Sequence, residues 1–191
     1  MSRAADSWYG SVVTSSAVLR SRASRTSRTA WVLATLLLAA TACRPAGPPP
    51  SAPSPLAQQS LPDFARPTLA GARIDTEQLR GQVVVIKFFA KYCEPCKRTL
   101  PAAQELHEKH PNVAFVGVSE DEYSSDAQAL VQSYGLTFPV VHDQGNVLAG
   151  RFRVSEMPVT FVVDTAGVVQ WIGGPGQGED DLAAAIEAFG G

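Results

Sequence analysis

From residue 83 the chain reads Val-Val-Val-Ile-Lys-Phe-Phe89, then Ala-Lys-Tyr-Cys93-Glu-Pro-Cys96, then Lys-Arg-Thr-Leu-Pro101. The first seven residues are apolar but for Lys87, the profile of a β-strand covered on both faces. A helix is expected from Cys96 to His110, with Leu100, Ala103, Leu106 and His107 at helical spacing and Pro101 bending it. Cys93 and Cys96 therefore stand where a buried strand hands over to a helix, a context in which a Cys-x-x-Cys pair reads as redox chemistry. Unpaired N–H groups and the dipole of a helix start stabilise negative charge, so a cysteine there carries a depressed pKa. Cys93, at the exposed edge, is the expected nucleophile. Cys96, one turn along, is placed to attack the mixed disulfide and release the partner. Pro95 suits the first helical turn, and the Glu94 carboxylate opposes thiolate formation. A purely structural disulfide is the poorer reading, since so short a loop gives little chain-entropy stabilisation. A zinc site would need further ligands, and His107, His110 and His142 are scattered along the chain. The expected metal and cofactor content is none beyond the Cys93–Cys96 pair.

Outward from this segment, strands and helices alternate. Phe64 to Ile74, turning at Gly71, reads as a hairpin, and Asp75 to Leu79 as a capped turn. Val113 to Val118 is a second buried strand, parallel to the first by the crossover rule. Ser125 to Tyr134 is a helix stopped by Gly135. Phe138 to Val141 reads as a short strand and Asn146 to Phe152 as a short helix. Thr160–Val163 and Val168–Ile172 form a hairpin across the turn Asp164–Gly167, and a last helix runs from Asp180 to Phe189. The fold class expected is α/β, a central mixed sheet with helices on both faces and an N-terminal hairpin.

The 191 residues are 45% hydrophobic and 18% charged, enough for one sizeable core and too few for two. The net charge of −2 conceals an asymmetry: residues 1–60 hold six arginines against one acid, and residues 61–191 hold ten basic against seventeen acidic side chains. An acidic body gives no footprint for nucleic acid, which excludes that partner. The basic end leads, through Arg20, Arg22, Arg25 and Arg28, into the uncharged run Ala30–Ala42, which as a helix would span about 20 Å, short of a bilayer core. Residues 1–42 therefore read as a signal segment. Ala40-Thr-Ala-Cys43 resembles the lipobox of bacterial lipoproteins, with Ala40 where that family usually has Leu, and the resemblance makes Cys43 a candidate for lipidation. An ordinary cleaved signal or an uncleaved anchor are the alternatives, and all three place the body in the cell envelope outside the cytoplasm. Residues 43–60, rich in Pro, Ala and Ser, read as an extended tether, leaving 61–191 as the folded domain.

Phe88-Phe-Ala-Lys-Tyr-Cys-Glu-Pro-Cys-Lys97 with Pro101 resembles the active-site segment of thioredoxin-fold proteins, the TlpA/ResA-like extracytoplasmic thiol–disulfide oxidoreductases in particular. Leu61-Pro-Asp-Phe64, Leu79-Arg-Gly-Gln-Val83, Phe138-Pro-Val-Val141, Met157-Pro-Val-Thr-Phe161 and Asp164-Thr-Ala-Gly167 recur in the order of that branch. The resemblance implies a thioredoxin-like domain and an enzyme that exchanges electrons with protein thiols and disulfides, more as reductant than oxidant. It also implies a membrane electron donor if reducing, a cis peptide before Pro158, and a Met157 backbone that pairs with substrate. Two positions depart from the branch: Thr99 replaces a Glu three residues after the second cysteine, and Lys87 stands where thioredoxin has a buried Asp. Lys87 either lies under the disulfide and tunes its thiols, or packs its stem in the sheet with its head in solvent; the cost of burying an unpaired ammonium favours the second. Two other functions compete. A peroxiredoxin-like peroxidase would usually have Thr at the position of Ala90, and a Sco-like copper carrier would have Cys-x-x-x-Cys and a matched His. An inert scaffold that kept the motif is the residual possibility.

Overall fold

A computed structural model describes residues 52–189. The expected signal segment 1–42, Cys43 as lipid acceptor, and residues 44–51 of the tether lie outside them. Seven strands and four helices follow one another: β1 (Ala65–Pro67), β2 (Arg73–Asp75), β3 (Val83–Phe89), α1 (Glu94–Lys109), β4 (Val113–Ser119), α2 (Ser124–Tyr134), β5 (Val140–His142), α3 (Val147–Arg151), β6 (Val159–Val163), β7 (Val169–Gly173) and α4 (Glu179–Phe189). β1 and β2 form the expected antiparallel hairpin, with Gly71 at a left-handed φ of 86° in its turn. The main sheet has the order β5-β4-β3-β6-β7, with β3 parallel to β4 and antiparallel to β6.

Every residue of β3 is buried, so its side chains divide by alternation between two apolar layers. Val83, Val85 and Phe89 join Cys93, Cys96, Leu100, Leu130 and Ile186 on the face covered by α1, α2 and α4. Val84, Ile86 and Phe88 join Phe64, Leu148, Phe152 and Phe161 on the face covered by α3 and the hairpin. The second layer centres on aromatic pairs, Phe88 to Phe152 and Phe152 to Phe161 both at 5.2 Å between ring centroids. By the same alternation Lys87 belongs to the face that carries both cysteines.

Several boundaries differ from expectation by a residue or so, and three differences have a clear physical reason. α1 begins at Glu94, two residues early, because Cys93 itself caps it. β5 begins at Val140, after Pro139, whose ring leaves no N–H for a ladder. The expectation that residues 43–60 form a free tether is corrected for Pro53–Ser60, which pack on the domain. Ser54 is buried, its hydroxyl donating to the Phe152 carbonyl at 2.7 Å, and Leu56 is 4% exposed in the Phe64–Phe152 layer. The Gln58 N–H donates to the Val169 carbonyl at 2.7 Å and the Val169 N–H to Gln59 at 2.9 Å, strand-like contacts along the outside of β7. The folded body thus starts at least eight residues before position 61, as counted from Pro53.

Candidate active site

Cys93 is the N-cap of α1, in extended conformation at φ −90° and ψ 95°, and its sulfur accepts the Cys96 N–H at 3.2 Å. This is one of the N–H groups that no helical carbonyl can reach, and in the reduced protein it points at the atom on which thiolate charge would sit. Pro95, in the same turn, has no N–H to leave unpaired. Cys93 and Cys96 are joined as a disulfide with their Cα atoms 5.2 Å apart. Cys93 keeps 8% exposure and Cys96 none. Cys93 is the more accessible of the two, though more enclosed than the exposed edge expected for it. The Glu94 carboxylate, next to Cys93, is exposed and paired with Lys97 at 2.6 Å.

The loop before Cys93 is fastened to the end of β4. The Lys91 N–H donates to Asp121 at 2.8 Å, the Glu120 N–H donates to the Phe89 carbonyl at 3.0 Å, and the Cys93 N–H closes on Ala90 at 3.1 Å. Across the sheet, Val159 pairs with Phe88, which sets Pro158 alongside Phe89 at the same end of β3 as the cysteine loop. The Met157–Pro158 peptide bond is cis, and Met157 packs against both apolar layers.

Lys87 is buried, which corrects the expectation of a head in solvent. Its Nζ donates to Thr160 Oγ1 at 3.3 Å, and burial pulls its pKa down from 10.5 to about 8. A small cavity is shared by Lys87, Thr99, Pro158, Trp171 and Glu179. The Thr99 hydroxyl donates back to the Cys96 carbonyl at 3.0 Å, so both positions that depart from the branch border one space on the cysteine face. The three histidines stay apart from the sulfurs: His107 lies edge-on between Phe115 and Phe138, His110 ends α1, and His142 meets the Asp121 carbonyl at 2.7 Å. Among the described residues no group of three or more His, Cys, Asp or Glu side chains is placed to hold a metal ion.

Glu120 and Tyr123, on the segment after β4 that supports the cysteine loop, were not singled out by sequence. The rule that sites collect outside the carboxyl ends of parallel strands would have pointed to them.

A helix-capping disulfide after a central strand, with a cis-proline segment at the same end of the sheet, defines a thioredoxin-fold protein with a dithiol site. The chain belongs to the AhpC/TSA family, which matches residues 57–172. It is similar to the thiol-disulfide oxidoreductase ResA of Bacillus thuringiensis strain Al Hakam, 32% identical over 113 residues, which are 58% of this chain and 65% of that one. It is also similar to the thioredoxin-like protein YneN of Bacillus subtilis, 31% identical over 116 residues, 59% of this chain and 68% of that one. Among solved structures, a secreted Mycobacterium tuberculosis disulfide oxidoreductase homologous to E. coli DsbE superposes with a TM-score of 0.61 at 25% identity, covering 65% of this chain and 95% of that one. The chain spans a little under two thirds of the ResA relative's length. No helix among the described residues is long and apolar enough to cross a membrane.

Proposed function

We propose that the protein is a thiol–disulfide oxidoreductase that reduces disulfides of protein partners in the cell envelope, outside the cytoplasm. The observation that carries this reading is the Cys93 sulfur at the start of α1 with the Cys96 N–H directed at it. In the reduced protein the Cys93 thiolate attacks one sulfur of a partner disulfide and the other partner sulfur leaves as thiolate. Cys96 then loses its proton and attacks Cys93 Sγ, the second partner sulfur leaves, and two electrons have passed from the Cys93–Cys96 pair to the partner. The backbone of Met157, before the cis peptide to Pro158, pairs with the partner chain during the exchange. Glu94, Pro95 and Lys87 tune the two thiols, Lys87 as the charged group on the same face of the sheet.

A membrane electron donor re-reduces the pair, and lipid on Cys43 holds the domain near it. Reductant is favoured over oxidant by the similarity to ResA. Insulin reduction by dithiothreitol tests the activity. The protein should accelerate precipitation of the insulin B chain, Cys93→Ala should abolish the acceleration, and the reduced protein should leave hydrogen peroxide unconsumed. No acceleration, or a Cys93→Ala variant as active as the parent, would sink the reading.

A further inference from the structure

A groove of about 690 Å³ opens beside the cysteine loop, with Tyr92, Lys97, Glu120, Glu122, Tyr123 and Asn146 in its walls. Four large hydrophobic side chains are exposed among the described residues, and two of them line this groove, Tyr92 at 67% and Tyr123 at 61%. Phenol rings with few torsions to freeze and much area left to cover are common anchors of protein interfaces. Hydrogen bonds from Lys91 to Asp121 and from Glu120 to Phe89 fix the groove wall to the loop that bears Cys93, so a chain lying in the groove passes Tyr92, the residue next to Cys93. No part of the Met157–Pro158 segment lines it.

The charges of the groove are unevenly answered. Lys91 pairs with Asp126 at 2.7 Å and Lys97 with Glu94 at 2.6 Å, which occupies both ammonium groups. Asp121 accepts from the Lys91 N–H and the Ser119 hydroxyl. Glu120 and Glu122 have no cation within ion-pair distance among the described residues. Glu120 Oε1 is shut off from solvent and accepts no hydrogen bond. Burial, and after it the nearby Asp143, raises the Glu120 pKa to about 7, as befits a carboxylate that lacks its counter-ion. A guanidinium or ammonium in the groove would lie near the Glu120 and Glu122 carboxylates, which lack a cation of their own, and against the phenol rings that share the lining.

We propose that this groove receives a lysine or arginine side chain of the partner polypeptide, carried within a few residues of the cysteine that Cys93 attacks, and so selects basic segments among oxidised partners. The inference rests on the oxidoreductase reading and adds the chemistry of its substrate.

The test uses the full chain, reduced and freed of reductant, mixed with two synthetic peptides. Each has the same internal disulfide, flanked by Arg in one and by Glu in the other, and acid-quenched samples give the rate of thiol release. The Arg peptide should react about tenfold faster at low salt, with the ratio falling toward one as ionic strength rises. The double substitution Glu120→Gln, Glu122→Gln should bring the ratio near one at low salt as well. Equal rates with the unaltered protein, a ratio indifferent to salt, or a ratio that survives the double substitution overturns the proposal. If the double variant does not fold, Glu122→Gln alone, at an exposed position, decides: it should lower the low-salt ratio, and an unchanged ratio overturns the proposal. Reduction of neither peptide would overturn the oxidoreductase reading itself, an outcome distinct from two equal rates.

Discussion

The amine of Lys87 has the Thr160 hydroxyl for its hydrogen-bond partner and sits in a central strand buried on both faces. Below about pH 8 it is protonated folded or unfolded, and the folded state bears the full cost of enclosing the charge. Between about 8 and the ordinary value of 10.5 the unfolded chain holds the proton more tightly, so this group makes stability rise with pH. The displacement corresponds to roughly 3 kcal/mol. Lys87→Met, close in volume, should stabilise the oxidised protein by up to that amount at pH 7, with the gain fading toward pH 10.5. Urea unfolding at the two pH values checks it. In the reduced variant, loss of the positive charge should move the alkylation-versus-pH profile of Cys93 up by about one unit. An unmoved profile would leave Lys87 a structural residue. Sequence alone could not place this amine, because the cost of burying a charge argues for a solvated head and the partner hydroxyl lies 73 residues along the chain. The cysteines were legible because both the strand and the helix start that frame them lie within a dozen residues.

The elements that could be read most closely were those whose pattern is local. β3 matches its apolar run residue for residue, and α2 ends where Gly135 takes a left-handed φ of 60°. What the pattern could not convey is how tightly neighbouring strands close on one another. Gly117 of β4 lies opposite Lys87, and a Cβ placed on it would fall 2.9 Å from both Phe89 Cε1 and Val140 Cγ2. Phe89 and Val140 lie on the two strands that flank β4, and Phe89 leads into the cysteine loop. Gly117→Ala should therefore destabilise the domain by about 1–3 kcal/mol, measured as a lowered urea midpoint. It should also slow insulin reduction by displacing the loop. Full stability in this variant would mean that the two side chains can move aside.

For the molecule as a whole, composition misled at one boundary. Proline, serine and alanine before residue 61 have the look of a linker, yet Ser54 and Ser155 hold the segment to carbonyl and amide groups about a hundred residues away in sequence. A chain beginning at residue 61 should unfold at lower urea than one beginning at residue 52, since Leu56 leaves its apolar layer and the Val169 N–H and carbonyl lose their partners. Equal midpoints would show that the segment adds nothing to the fold.

That segment has a counterpart on the far side, where Leu69 donates to the Val140 carbonyl at 2.8 Å and Thr68 bridges to Val141. Each outer strand of the five thus carries a piece of its own chain as a selvedge, and a stranger cannot readily be stitched on at those positions. Protection against runaway sheet growth then follows from the same two seams.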